Sequence, residues 1–203
     1  MGDDSPSRRV RADAERSTAR ILEAAEAVLA VDSTASLERI ADAAGLARAT
    51  VHRRFATRAA LLEALAEQLS GRYLLGLAEA RVKTAPPLVA LHRVTEFVLG
   101  LRSDHRFALQ LTEARTPEVL DGLDTLFARL RDTGAVTAAE PAWSRRVYLA
   151  LLCEVYELPA DSAALGPGAA ADETAAKADL LVRTTLGALG GSHDTAALSP
   201  SGR

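Results

Sequence analysis

Residues 37–65 read LERIADAAGLARATVHRRFATRAALLEAL, and the reading of this stretch decides the fold. It predicts a helix over Leu37–Ala44, a tight turn at Gly45, a second helix over about Arg48–Phe55 and the start of a third. Gly45 stands where a helix stop calls for a residue at positive φ. Ile40, Ala44, Leu46, Val51 and Phe55 form an apolar set able to close a small core. Ala41 is small where two helix backbones must approach, Gly45 follows four residues on, and Val51 six beyond that. This is helix-turn-helix spacing. Between Asp42 and Glu63 there is no acidic side chain, while Arg48, Arg53, Arg54 and Arg58 fall inside the same interval. Positive charge gathered on one short helical element points to recognition of nucleic acid.

Upstream, Ile21, Leu22, Ala25, Val28 and Leu29 recur at helical spacing and predict an amphipathic helix over Asp13–Val31. Ser36 is placed to cap the helix at Leu37, with Glu38 in its first turn. Leu37–Ala44 is too short to be stable alone, so it must lean on its neighbours. Residues 1–12 are expected to be a disordered arm whose Arg8, Arg9 and Arg11 can trail along a phosphate backbone.

Downstream, Thr57 is expected to cap a long helix with an apolar stripe of Leu61, Leu62, Leu65, Leu69, Tyr73, Gly76 and Leu77, ending near Lys83. Such a helix spans on the order of 40 Å. Pro86-Pro87 breaks the pattern. Five further helices are expected: Leu88–Arg102, Asp104–Arg115, Pro117–Thr133, Pro141–Glu157 and Ala170–Leu189. Leu158–Ala171 is expected to be a linker and residues 191–203 a disordered tail. No segment alternates with period two. The prediction is an all-α chain of about nine helices, with a three-helix helix-turn-helix domain over 13–56 and a second helical domain over 57–190.

Bulk composition narrows the function classes. The net charge of the 203 residues is only -3, and the Lys plus Arg count matches Asp plus Glu at 11 each in residues 1–72. The basic patch is therefore local. A single cysteine, Cys153, leaves no internal disulfide framework and no cysteine-based zinc site. No stretch reaches the ~18 apolar residues of a membrane span, and MGDDSPSRRV lacks a secretory core. The expectation is a cytoplasmic protein with no membrane partner. An all-helical enzyme is the remote alternative. His52, His92, His105 and His193 form no HExxH pattern, and there is no glycine-rich phosphate loop. No catalytic residue, metal ligand or cofactor is expected.

The residues IADAAGLARATVHRRFATRAALL, positions 40–62, resemble the tetracycline-repressor (TetR) family of bacterial transcription regulators. The strong likeness covers about 55 residues; the remainder is similar in helix number and length. The resemblance implies a homodimer that sets one recognition helix of each subunit in the major groove of a palindromic operator. It also implies a dimer interface built from the last two helices, and a cavity in the middle helices whose small-molecule ligand loosens DNA binding. The chain departs from the family pattern in three places. Ala47 replaces the usual Ser or Thr cap, worth typically ~1 kcal/mol. His52 replaces the recognition-helix aromatic. The link between the first two helices lacks its usual glycine and is slightly short.

On the wheel of the helix from Arg48, the residues Arg48, Ala49, Thr50, His52 and Arg53 lie away from Val51 and Phe55. Arg48 and Arg53 are candidates for bidentate contact with guanine O6 and N7, Thr50 for a phosphate or a thymine methyl, and His52 for a phosphate. Ser36 and Arg58 are expected to clamp phosphates on either side. Arg39 and Arg54 are left open, since either can pair with Asp42 or Glu38.

Phe97, Leu101, Phe107, Leu111, Phe127, Trp143 and Tyr148 are the candidate lining of an effector cavity, with His92, Arg102, His105, Gln110 and Glu113 as polar anchors. The bland reading of these aromatics is ordinary core. The effector itself is unknown; few aromatics favour an apolar or weakly polar molecule over a caged cation. Leu151, Leu152, Val155, Leu181, Thr184, Thr185 and Ala188 are the candidate homodimer face. The function expected is a transcriptional repressor on an operator of double-stranded DNA. The nearest alternative is a DNA-binding regulator controlled by a protein partner or by nothing.

Overall fold

The computed structural model describes residues 5–101, 117–166 and 169–191. The described residues form eight α-helices, two single 3-10 turns and no strand: α1 (Ser5–Val31), α2 (Leu37–Ala44), α3 (Arg48–Arg54), α4 (Arg58–Glu79), α5 (Pro87–Gly100), α6 (Pro117–Asp132), α7 (Pro141–Tyr156) and α8 (Glu173–Ala188). The helix expected at Asp104–Arg115 lies outside the described residues, and with it Phe107, Leu111, Arg102, His105, Gln110 and Glu113. His193 lies outside them too.

α1 begins at Ser5, well before the expected Asp13. The segment read as a disordered arm is helical from that point. Pro6 sits in the first turn, where a missing N–H costs nothing, and the arginines and alanines that follow are good helix formers.

Ser36 caps α2 by accepting from the Arg39 N–H at 3.3 Å. At the other end Gly45 takes φ 62°, its N–H donates to the Asp42 carbonyl at 3.1 Å and the Leu46 N–H to the Ala41 carbonyl at 3.0 Å. These two bonds are a Schellman stop. Arg20 of α1 adds a third, donating to the Ala44 carbonyl at 2.7 Å. Sequence periodicity does not reveal that bond. A Cβ at Gly45 would force an L residue into left-handed backbone and stand 3.2 Å from the Arg20 Nη2 atom. Gly45→Ala is expected to cost about 1–2 kcal/mol, read as a lower midpoint in urea unfolding.

The chain divides into two compact units between Ser70 and Gly71, inside α4, rather than at residue 56. The first half of α4 belongs with the helix-turn-helix, its Leu61, Leu65, Ala66 and Leu69 all buried. In this unit α2 packs on α1 and α3 on α2, around Ile21, Ala25, Ile40, Ala41 and Val51, each fully shielded from solvent.

In the second unit α5 packs against α8 and α6, and α7 against α6 and α8. Gly76 of α4 lets the Phe97 ring of α5 approach to where a Cβ would lie 2.5 Å from the ring edge. α4 stops at Glu79, short of Lys83, and Arg81 takes φ 54°. Arg129 of α6 then holds the turn, donating to the carbonyls of Val82 and Ala85. The linker expected over 158–171 contains two 3-10 turns, Ala163–Leu165 and Ala169–Ala171, anchored by buried Leu165 and Ala169. Asp172 caps α8 through the Ala175 N–H at 3.0 Å, which moves the start of that helix to Glu173.

Candidate nucleic-acid interface

α3 is held by two buried side chains, Val51 and Phe55, and turns everything else outward. Arg48, Ala49, His52, Arg53 and Arg54 are exposed and Thr50 is half-buried. Ala47 supplies no side-chain cap, leaving the first N–H groups of α3 without a side-chain partner at that position. Arg48, Arg53 and Arg54 make no ion pair or hydrogen bond to any described residue. Their guanidinium groups are thus uncommitted, as a base-reading fork must be before DNA arrives.

The arginines around α3 are committed. Arg39 pairs with Asp32 at 2.7 Å, which settles its open alternative against both Asp42 and Glu38. Arg58 donates to the Ser33 carbonyl and, at 3.4 Å, to that of Ala35. Its head is turned onto the α1–α2 link, so this residue braces that turn as well as offering charge. The link needs no glycine because Asp32 organises it: the Asp32 carboxylate accepts from the Thr34 N–H at 3.0 Å and the Thr34 hydroxyl at 2.7 Å. Those two bonds, with smaller help from Arg39 and Arg58, hold the Asp32 carboxyl below its ordinary range.

Ser36, expected on a phosphate, is engaged within the fold. It caps α2 and its hydroxyl serves the Glu38 carboxylate. That bond first, then the Glu38 backbone N–H and His52, hold the Glu38 carboxyl below its usual range. His52 Nε2 lies 3.4 Å from Glu38 Oε1. The contact between Glu38 and His52 could not be read from the sequence, because no spacing rule joins α2 to α3.

The second unit holds a cleft of about 630 Å³ between α4, the turn after it, and α6. Its floor is Leu74, Leu77, Ala78 and Val82. Its rim carries Arg81, Lys83 and Thr84 on one side and Glu118, Asp121 and Thr125 on the other, with Gly122 between. Among the described residues, none of those expected for the cavity lines it. Phe127 and Tyr148 are packed together in the core, ring centroids 5.7 Å apart. The Tyr148 hydroxyl meets Thr95 at 3.0 Å, and burial pushes it up to about 12. Phe97 fills the notch at Gly76, and Leu101 is half-buried after α5. Trp143 is 51% exposed at the start of α7 under the Arg146 guanidinium, 5.8 Å from its ring centroid. Of the polar anchors, His92 is tied to Asp179 at 2.8 Å.

The expected dimer residues divide. Leu152, Val155, Leu181 and Thr185 are buried within the subunit, because α7 and α8 each pack on two neighbours and use more of their circumference than a two-helix reading allows. Leu151, half-buried, and Thr184 and Ala188, exposed, remain on the outward side with Ala150 and Gly187. Among the described residues no group of acidic, histidine or cysteine side chains is arranged to hold a metal ion, and no described helix is long and apolar enough to cross a membrane.

Residues 21–65 match the model of the bacterial regulatory proteins of the tetR family. The chain is 34% identical over 153 residues to the HTH-type transcriptional repressor LfrR of Mycolicibacterium smegmatis, covering 72% of this chain and 81% of that one. The chain belongs to the TetR family. It is a DNA-binding transcriptional regulator and no enzyme. The crystal structure of LfrR in complex with proflavine superposes with a TM-score of 0.60 at 30% identity, covering 84% of this chain and 94% of that chain. Apo AibR has the same fold, at a TM-score of 0.61 and 17% identity over 86% of this chain and 98% of its own.

Proposed function

We propose that this TetR-family regulator is a cytoplasmic repressor that binds a palindromic operator as a homodimer, through α3 of each subunit, and releases it when a small molecule enters the second unit. The observation that carries the reading is the uncommitted pair Arg48 and Arg53 on a helix anchored only by Val51 and Phe55. Phosphate contacts supply affinity, and these two forks supply sequence. Selection of duplexes from a random library tests it. The recovered site should be an inverted repeat with half-sites about one helical turn, ~34 Å, apart; an unrelated set of sequences would refute it.

A lone short helix reads too few base pairs for useful discrimination, which supports two copies. The outward side of α7 and α8 carries Ala150, Gly187 and Ala188, small enough for close helix approach. Ala150→Arg with Ala188→Arg should leave each subunit folded, since both positions are exposed. In sedimentation the protein should become monomeric, and operator affinity should fall by about 10²-fold or more with loss of the second head. A dimer that persists would move the interface elsewhere.

For the effector we favour the cleft over Leu74, Leu77 and Val82, whose apolar floor and charged rim suit a small amphipathic molecule. α4 is the one described helix that contributes residues to both units, so it is the element through which occupancy would reach α3. A ligand can do this only by binding the DNA-free conformation better. LfrR has been crystallised with proflavine, which makes proflavine a reasonable first probe. Gly122→Leu, which drives a side chain against Leu77 in the cleft, should abolish any proflavine-induced release of operator while leaving unliganded binding intact.

A further inference from the structure

We propose that Glu38 positions His52 so that operator binding takes up a proton at the imidazole. This rests on α3 being the recognition helix. Glu38 stands in the first turn of α2, beside Ser36, and its carboxylate faces His52 Nε2 at 3.4 Å. Both side chains are about half exposed, 43% and 48%. A carboxylate at this place is the wrong charge to set next to DNA phosphates. It nevertheless stays ionised, held by the Ser36 hydroxyl, its own backbone N–H and the positive end of α2.

The charged groups around the pair leave the task of neutralising it to His52. On α2, Arg39 is spent on Asp32, and Asp42 is acidic. From α1, Arg20 is spent on the Ala44 carbonyl. At the start of α4, Arg58 is spent on the Ser33 and Ala35 carbonyls. On α3 itself Arg48, Arg53 and Arg54 are uncommitted among the described residues and are the groups that DNA claims.

With Nε2–H donating to Glu38, Nδ1 is the ring nitrogen left for DNA. In the neutral ring Nδ1 is an acceptor, which a phosphate oxygen repels. In the imidazolium it is a donor, which a phosphate oxygen or guanine O6 or N7 accepts. Only the charged ring both neutralises Glu38 and bonds to phosphate. Operator binding therefore favours the protonated ring over the neutral one. Affinity accordingly rises as pH falls and is lost as pH rises.

The test uses the full-length protein and a duplex oligonucleotide recovered by selection at about pH 6. Its dissociation constant is followed from about pH 5.5 to 8 at fixed ionic strength for wild type, His52→Asn and Glu38→Gln. One proton at each of two heads corresponds to as much as about a hundredfold per pH unit on the steep part of the profile, and to about tenfold if only one head responds. Wild type should therefore lose at least about tenfold in affinity relative to His52→Asn on going to the alkaline end. Glu38→Gln should flatten the profile and bind more tightly than wild type near pH 8, where its lost charge no longer repels phosphate. Parallel profiles for wild type and His52→Asn would overturn the proposal. So would a Glu38→Gln variant with the wild-type slope and uniformly weaker binding, the signature of a residue that only steadies α2. Failure to recover any duplex would sink the DNA-binding reading itself, and this inference with it.

Discussion

Arg53→Ala is expected to erase discrimination at one base pair in each half-site while leaving a residual, salt-sensitive affinity for any duplex. Arg53 is exposed on α3 with no described partner, so removing its side chain leaves nothing unpaired in the free protein, and the loss is felt only on DNA. A bidentate arginine–guanine contact is worth about 1–3 kcal/mol. A symmetric dimer makes it twice, so the specific complex should weaken by about 2–6 kcal/mol if the two heads act independently. Arg58→Ala provides the contrast. That guanidinium braces the Ser33 and Ala35 carbonyls, and its removal should loosen the link before α2 and weaken all sequences by a similar factor. Equilibrium titrations of both variants against the selected site and its single-base variants separate the two. The assignment fails if Arg53→Ala lowers every affinity equally and keeps the ratio between sites.

The helix-turn-helix was legible because its determinants are local. Gly45 at positive φ, Ser36 as a cap and the buried set Ile40, Ala41, Val51 and Phe55 are fixed within a few residues of one another. The link from α1 to α2 was less legible: the absent glycine was visible, but the Asp32–Thr34 bonds that replace it depend on a conformation the pattern does not announce. Contacts across helices were not legible at all. Arg20 on the Ala44 carbonyl, Arg58 on Ser33 and His52 on Glu38 join residues whose separation in sequence follows no period. In the second unit helix positions could be read, yet sidedness could not. α7 and α8 each meet two neighbours, so Leu152, Val155, Leu181 and Thr185 were drawn inward from the face assigned to a partner subunit. Aromatic side chains carry the same ambiguity, since a ring that lines a cavity and a ring that fills a core have the same helical spacing.

Phe127 puts that ambiguity to the test, and Phe127→Ala is expected to destabilise the protein by about 3–5 kcal/mol. Phe127 is 1% exposed, tilted against Tyr148 at 57°, and sits among the buried α6 residues Leu123, Leu126 and Leu130. Truncation there removes the transfer energy of the ring and the aromatic pairing and leaves a void that rigid helices cannot collapse. A ring at the edge of a ligand cavity would behave differently. It already borders empty space, so its loss would cost far less and would enlarge the cavity instead. Tyr148→Phe sharpens the distinction. The hydroxyl is buried and, among the described residues, bonded only to Thr95 at 3.0 Å, and Thr95 keeps a second bond to the Leu91 carbonyl at 2.7 Å. Losing the tyrosine hydroxyl should therefore cost only about 0.5–1.5 kcal/mol. Urea unfolding of the two variants gives the ratio directly. A large loss for Phe127→Ala with a small one for Tyr148→Phe means that these rings hold the second unit together as core rather than line a cavity. A Phe127→Ala protein as stable as wild type would return both rings to the wall of a cavity.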